Sequence, residues 1–374
     1  HPTGIDSKPS EKHGDAHEKH KDAPGETGIA GNRFFANFTN DNILNRFFMT
    51  LAAAGLLSCT GTGQSAFDPA SVADASGEVT RVEPLSWWTG MQTPLQLLVN
   101  GAGIAAYDVR IEGGQGVGVK ARHKADSPNY LFVDVEVQPD AEPGTYYLVF
   151  SQGERQFKVP YEIAARAEGS VARRSFTTAD MIYLLMPDRF ANSDASNDST
   201  PHTRERADRS AFFGRHGGDL QGMIDHLDYI AGLGATAVWP TPLLLDDEPE
   251  GSYHGYACGD YYRIDPRFGS NELYREFVGK AHDHGLKVIM DIVTNHCGTG
   301  HWWMKDLPFR DWIHQFPEYT GTNVCFSTNM DPNASRYDLD LQESGWFVPS
   351  MPDMNLDNPY VLQYFKQWAV WWIE

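Results

Sequence analysis

Three short apolar stretches decide the fold: MIYLLM at residues 181–186, ATAVW at 235–239 and KVIM at 287–290. Runs of this kind are typical of strands that are buried on both faces of a parallel sheet. Between them, apolar side chains recur at helical spacing over residues 220–233 and 271–284, and each helical segment ends at glycine. The order strand, helix, strand, helix, strand predicts the beginning of a parallel α/β fold.

The hydrophobic pattern is different before these strand and helix units and again after the third strand. Residues 95–99, 130–137 and 144–150 are β-branched or aromatic runs separated by turn residues, which predicts a small all-β sandwich over about 78–166. The α/β part covers 175–374 and contains an aromatic-rich insertion at about 297–357. A third helix is expected to begin at Asn358-Pro359.

Composition excludes several classes of protein. The 374 residues are 41% hydrophobic, which is enough to bury a sizeable core. They include 50 acidic and 30 basic side chains, for a formal net charge of −20. A nucleic-acid partner is excluded on this ground, because phosphate binding needs a basic face. The sequence also lacks the roughly 18 consecutive apolar residues that a spanning helix needs, so any membrane attachment is expected only through a lipid anchor.

The N-terminal 77 residues are interpreted as processing segments. An apolar run at 47–57 precedes Leu56-Leu57-Ser58-Cys59, the pattern of a bacterial lipoprotein signal in which Cys59 is acylated. Residues 44–77 are then a signal and linker, and the protein is exported to the periplasm or cell envelope. The alternative is a short apolar helix in the core. Residues 1–43 are either translated from upstream of the true start or are a disordered extension.

Polar residues follow each predicted parallel strand, where this fold class keeps its chemistry. After the first strand come Asn192, Asp194, Asn197 and Asp198, and Gly217-Gly218-Asp219 follows further on. Oxygen donors of this kind suit Ca²⁺, although an Asn/Asp-rich loop is also typical of a solvated turn.

Aromatic residues accompany histidine and aspartate after the other two strands. They occur at 253–256, 259–262 and 265–269 after the second strand, and Asp291 to His296 follow the third. Flat rings beside hydrogen-bonding groups suit a sugar ring, which has an apolar face and a rim of hydroxyls. Any one of these residues alone could equally be packing in a loop.

Together these motifs resemble the α-amylase superfamily of glycoside hydrolases (glycoside hydrolase family 13), in its cyclomaltodextrinase and neopullulanase branch. Asp291-x-x-x-Asn295-His296 is similar to the family signature after the third barrel strand, and Met351-Pro352-Asp353-Met354-Asn355 to the short signature late in the inserted domain. Trp87-Trp88 and 95–98 are similar to the N-terminal β-domain of that branch. The resemblance implies an immunoglobulin-like sandwich followed by the first three βα units of a (β/α)8 TIM barrel.

The resemblance also implies roles for individual residues. His254 and His296 would hydrogen-bond the glucose ring before the scissile bond, Tyr256 would stack on it, and Asp291 would support the strand end. A structural Ca²⁺ would be held by Asn192, Asp194, Asn197, Asp198, Asp219 and the carbonyl of Gly217. A homodimer formed through the N-terminal domain is implied in the same way.

Family members cleave α-1,4-glucosidic bonds with retention, using carboxylates that follow strands four, five and seven. These motifs are not in the sequence, so no catalytic residue is assigned here and the nucleophile and acid/base are expected beyond Glu374. We therefore expect a fragment of an exported glycosidase acting on cyclodextrins, pullulan or maltooligosaccharides, inactive on its own. The alternative is a non-catalytic lipoprotein that binds glucan.

Overall fold

The computed structural model describes residues 79–173, 175–323, 328 and 330–374. The predictions for 1–43, for 44–77 and for Cys59 lie outside the described residues.

The N-terminal part is a sandwich of two four-stranded sheets, as predicted. One sheet has the order β1-β3-β6-β5 and the other β2-β8-β7-β4. The strands are β1 (Arg81–Glu83), β2 (Ser86–Trp88), β3 (Leu95–Asn100), β4 (Asp108–Glu112), β5 (Val117–Lys124), β6 (Tyr130–Val137), β7 (Gly144–Gln152) and β8 (Arg155–Ala164). Alternate residues of β8, namely Val159, Tyr161 and Ile163, are buried between the sheets, which is the period of a strand with one face on the core.

A three-stranded parallel sheet follows, in the order β13-β10-β9, and confirms the predicted βαβαβ beginning of a barrel. The strands after the sandwich are β9 (Ile182–Leu185), β10 (Ala237–Pro240), β11 (Leu244–Leu245), β12 (Asp260–Ile264) and β13 (Lys287–Val288). The helices are α1 (Pro187–Phe190), α2 (Leu220–Asp225), α3 (Leu227–Gly232), α4 (Asn271–Asp283), α5 (Arg336–Ser344) and α6 (Pro359–Ile373). None of the helices in the described part of the chain is both long and apolar enough to cross a membrane.

The helix predicted over 220–233 is broken at His226 into α2 and α3. The His226 ring nitrogen Nδ1 bonds the Gly222 carbonyl at 2.8 Å, while the backbone N–H of His226 donates instead to the Met223 carbonyl. The side chain thus occupies the acceptor that a continuous α-helix would use, and apolar periodicity carries no sign of this competition.

Helix α6 packs against the sandwich as well as the barrel. Asn358 caps its first turn by accepting the Tyr360 N–H, and Val361, Phe365 and Trp368 are buried on one face. Gln367, also buried, donates from Nε2 to the Gln96 carbonyl at 2.7 Å and accepts the Gln96 N–H at 3.1 Å. The side-chain amide therefore pairs with β3 as a neighbouring peptide group would.

The insertion joins the sandwich through Asp306. Its side chain accepts from Ser127 Oγ at 2.7 Å and Asn129 Nδ2 at 2.9 Å, and its backbone carbonyl accepts from Tyr130 Oη at 2.6 Å. The Tyr130 ring also stacks on Trp302 with centroids 6.0 Å apart. Polar and aromatic contacts thus hold one strand end of the sandwich against the insertion.

A buried charged cluster lies where β1, β12 and α6 meet. Arg81 pairs with Asp260 and lies 3.4 Å from Glu83, so two carboxylates share one guanidinium. Tyr364 of α6 donates its hydroxyl to Glu83 at 2.8 Å. Glu83 is 0% exposed, and this burial raises its pKa to about 7.

Candidate functional site

The residues predicted to contact a sugar ring meet at one edge of the parallel sheet. Strands β9, β10 and β13 run in the same direction, so their carboxyl ends lie side by side. His254 and Tyr256 belong to the segment between β11 and β12, whereas Asp291 and His296 follow β13. The structure brings all four together through the contacts described next.

Tyr256 and Asp291 are joined directly. Asp291 Oδ2 accepts from Tyr256 Oη at 3.2 Å and from Trp239 Nε1 at 3.1 Å. Burial raises the pKa of Asp291, although these two donors oppose the effect, and burial together with Asp291 raises that of Tyr256 to about 12. Asp291 Oδ1 has no hydrogen-bond partner among the described residues, so it is the oxygen available to a hydroxyl of a ligand.

His254 is oriented by its own loop. Its Nδ1 accepts the Tyr256 N–H at 2.9 Å, which leaves the proton on Nε2. Burial lowers the pKa of His254, so the ring is neutral at neutral pH. Within the described part of the chain Nε2 has no partner, and it can donate to a ligand oxygen beside the Tyr256 ring, whose centroid lies 5.8 Å away.

His296 is more constrained than predicted from the sequence. Nε2 lies 3.2 Å from the Tyr256 carbonyl and Nδ1 lies 3.2 Å from Asn295 Nδ2, so both ring nitrogens have partners in the protein. Burial lowers its pKa to about 4. A hydrogen bond from His296 to a sugar therefore requires exchange of one of these partners, and its present contacts hold the loop that carries Tyr256.

The insertion adds an aromatic surface that the sequence did not indicate. Phe347 stacks on His296 with ring centroids 5.2 Å apart and planes 11° apart, and it remains 47% exposed. An isolated bridge pairs His296 with Asp353 of the Met351–Asn355 signature. Asp353 in turn accepts from His314 Nδ1 at 2.7 Å, and burial raises its pKa to about 6.

A buried chain of charged residues contacts the His254 loop, and the sequence pattern wrongly placed two of them, Asp265 and Arg267, with the sugar-binding residues. Asp246 accepts the Ala257 N–H at 3.1 Å and lies 3.6 Å from His254 Nδ1. Arg267 donates to the Asp246 carbonyl and makes two bonds of 2.9 and 2.7 Å to Asp265. Burial alone would raise the pKa of Asp265, but Arg215 and Arg267 lower it. The two-oxygen contact fixes the guanidinium and hence the loop.

The aromatics of 259–262 do not belong to the site. Tyr261 and Tyr262, which were grouped with the sugar-binding pattern, are 0% and 1% exposed and lie in the hydrophobic core. Strand β12 places them there because it forms a hairpin with β11. Sequence alone offered no way to tell these rings from those of Tyr253 and Tyr256.

The two segments predicted to bind calcium do lie together. Asp219 accepts the Asp194 N–H at 2.8 Å and caps α2 by accepting the Gly222 N–H at 2.6 Å. Gly217 has φ +86°, and a Cβ there would lie 2.5 Å from Asp198 Oδ1 and 2.7 Å from Asn192 Nδ2. Only glycine fits both this backbone conformation and this space.

The residues present suit a calcium ion in their oxygen chemistry. Asn197 Oδ1 is buried without a hydrogen-bond partner, as expected of an oxygen that serves a cation. The Asp194 carboxylate instead bonds the backbone and hydroxyl of Ser196 at 3.0 and 2.5 Å. Within the described ranges no three His, Cys, Asp or Glu side chains converge as a metal site, so amide and carbonyl oxygens would have to complete the ligand set.

The sequence profile described as the alpha amylase catalytic domain matches residues 184–374, just over half of the chain. The chain belongs to the alpha-amylase family. The profile of the cyclomaltodextrinase N-terminal domain matches residues 81–167 of this family member, which covers the sandwich.

The chain is also similar to individual proteins with curated names or solved structures. The chain is 35% identical over 210 residues to a cyclomaltodextrinase of Thermoanaerobacter pseudethanolicus, and the match covers 53% of this chain and 33% of the relative. It is 35% identical over 215 residues to neopullulanase 2 of Thermoactinomyces vulgaris, again covering 53% and 33%. Thus the chain spans about a third of the length of these curated relatives. An Anoxybacillus α-amylase of known structure is 35% identical, with a TM-score of 0.43 over 52% of this chain and 38% of that one.

Proposed function

We propose that this alpha-amylase family member binds the glucose ring of an α-1,4-glucan or cyclodextrin as part of a retaining glycoside hydrolase. The observation that supports the proposal is the convergence of a free His254 Nε2, a free Asp291 Oδ1 and the Tyr256 ring at the carboxyl ends of the strands. A donor, an acceptor and a flat apolar face are the groups that a glucose ring needs.

The proposed roles follow from the contacts. Tyr256 stacks on the ring while its hydroxyl stays bonded to Asp291, and His254 donates to a ring hydroxyl. His296 holds the loop and offers Nε2 only after exchange with the Tyr256 carbonyl. Phe347 extends the apolar wall beside it. The proposal assigns residues of this chain to sugar binding and none to the covalent step.

The same proposal includes a structural calcium ion held by Asn192, Asn197, Asp198, Asp219 and the Gly217 carbonyl, with Asp194 contributing through its backbone. When bound, the ion would supply positive charge that draws the oxygens of two segments together. It would not touch the sugar. Export, a lipid anchor at Cys59 and a homodimer through the sandwich complete the proposal.

Calorimetric titration of the full chain with β-cyclodextrin tests the binding function. Wild type should bind, whereas Tyr256→Ala and His254→Ala should each weaken the affinity about tenfold, the value of one stacking contact or one hydrogen bond. Tyr147→Ala, an exposed aromatic position on the sandwich, is the matched control and should bind as wild type does. Equal affinities for all four proteins would contradict the proposed site.

The alternative function, a glucan-binding lipoprotein without hydrolysis, predicts the same titration. Release of reducing sugar by a full-length protein that carries the carboxylates expected after strands four, five and seven separates the two, because only a hydrolase cleaves the bound glucan.

A further inference from the structure

The long loop between α1 and α2 displays two aromatic side chains to solvent. Phe212 is 78% exposed and Phe213 is 66% exposed, and their rings meet edge to face with centroids 4.8 Å apart. Neighbouring exposed aromatics on a protein surface mark interaction sites more often than single ones do. This pair has no part in the sugar contacts proposed above.

The loop that carries the pair is held in shape by its own hydrogen bonds. The Asp208 carboxylate accepts from the Ser210 N–H at 2.9 Å and from its hydroxyl at 2.6 Å. The Asp208 N–H donates to the Arg215 carbonyl at 2.9 Å, and the Gly214 N–H donates to Ala211 at 3.1 Å. A surface that is already ordered loses little conformational entropy when a ligand binds.

Arg189 joins this loop to the candidate sugar site. One of its terminal nitrogens donates to the Phe212 carbonyl at 3.1 Å and to the Gly214 carbonyl at 2.8 Å. The same guanidinium lies over the Tyr253 ring, 4.2 Å from its centroid. Tyr253 packs beside His254 with centroids 5.5 Å apart. The Arg189 guanidinium therefore lies between the loop of the aromatic pair and Tyr253. Tyr253 in turn is the neighbour of His254, the proposed sugar contact.

We propose that Phe212 and Phe213 form an outer platform for α-glucan chains, on which glucose units beyond the ring held at His254 and Tyr256 pack. The inference rests on the proposed function and names a further contact of the same substrate. The apolar face of a pyranose ring matches one phenyl ring in size, and the edge-to-face pair offers two such surfaces at a right angle.

The size of the patch favours a glucan over a protein partner. Aromatic side chains bury about 150 to 250 Å² each, so two rings with these exposures offer roughly 300 Å². A stable protein interface buries about 800 Å² on each partner. The pair is therefore large enough for one or two sugar rings but too small to hold a second copy of the chain.

The test compares a long and a short ligand on the full chain. Affinities for soluble amylose and for maltose are measured by calorimetry for wild type and for the double variant Phe212→Ala/Phe213→Ala. The variant should bind amylose about tenfold more weakly than wild type and maltose within about twofold. Tyr229→Ala, an exposed aromatic on α3, is the matched control and should change neither affinity. Because both phenylalanines are exposed, the melting temperature should stay unchanged.

Three other outcomes would contradict the proposed platform, and each has a different meaning. If the double variant binds amylose as wild type does, the platform is wrong and the proposed function stands. If wild type binds neither ligand, the proposed function fails and the platform with it. If the double variant instead changes the oligomeric state in light scattering, the occupant is a second copy of the chain.

Discussion

Replacing Glu83 by glutamine should make the stability of the protein markedly less sensitive to pH between about 4.5 and 7. An unfolded glutamate titrates near 4.5 and Glu83 near 7, because burial outweighs the help of the shared Arg81. The folded state therefore holds the proton more tightly than the unfolded state between these values. The stability that this tighter proton binding by Glu83 gives the folded state is fully present below pH 4.5 and is lost as pH rises through 7.

The magnitude follows from the 2.5 pH units between 4.5 and 7. At 1.36 kcal/mol per unit, wild type should lose about 3 kcal/mol of unfolding free energy across this window. Glutamine keeps the acceptor for the Tyr364 hydroxyl and carries no charge at any pH. The melting temperature of the variant minus that of wild type should therefore rise by about 6 °C between pH 4.5 and pH 8, at roughly 2 °C per kcal/mol.

Thermal melts of both proteins at each pH provide the assay. The comparison must be between proteins, because Asp353, with its pKa raised to about 6, lowers the stability of both in the same direction as pH rises. Glu154→Gln, at an exposed turn of the sandwich, is the control and should follow wild type. Parallel curves for wild type and Glu83→Gln from pH 4.5 to 8 would refute the reasoning.

Three further predictions concern the metal, the anchor and turnover. Calcium should raise the melting temperature of wild type by binding the native state, and Asp198→Ala should abolish most of that rise; an unchanged melt after chelation would exclude the site. Mass spectrometry of the protein purified from its source should find cleavage before Cys59 and an acylated cysteine, and an intact peptide across residues 57–60 would contradict it. The purified 374-residue chain should release no reducing sugar from cyclodextrin or pullulan above a blank; release abolished by His296→Ala would show that the catalytic carboxylates were misplaced.

The sequence was most informative where burial leaves a simple pattern. The apolar runs that became β9 and β10 predicted parallel strands correctly. The expected burial on both faces holds for β10 but is wrong for β9, where Ile182 and Leu184 are 38% and 57% exposed. The three-residue strands β1 and β2 were not found, because a segment of that length has no measurable period. The apolar runs thus predicted three of the eight sandwich strands, namely β3, β6 and β7.

The candidate site was also predictable only in part, because some of its residues are far apart in the sequence and others are buried charged residues. His254 and Tyr256 stand two residues apart in one loop, so the pattern could be seen in the sequence. Phe347 lies some fifty residues from His296, and long-range contacts such as the bridge between His296 and Asp353 and the backbone bond from Met354 to Asn295 bring its segment back. Asp246 was not singled out, and Arg267 was assigned to the sugar-binding pattern, because charged residues are ordinarily expected at the surface, whereas here they are paired and buried.

The Gln367 side chain also limits aggregation of the protein through a strand edge. Strand β1 pairs only with residues 98–100 of β3, so the same edge of β3 at Gln96 would otherwise offer an unpaired N–H and C=O to another strand. The Gln367 amide occupies both groups. Shortening this side chain would leave a short unpaired strand edge at the start of β3. We expect such a variant to aggregate during refolding or on heating.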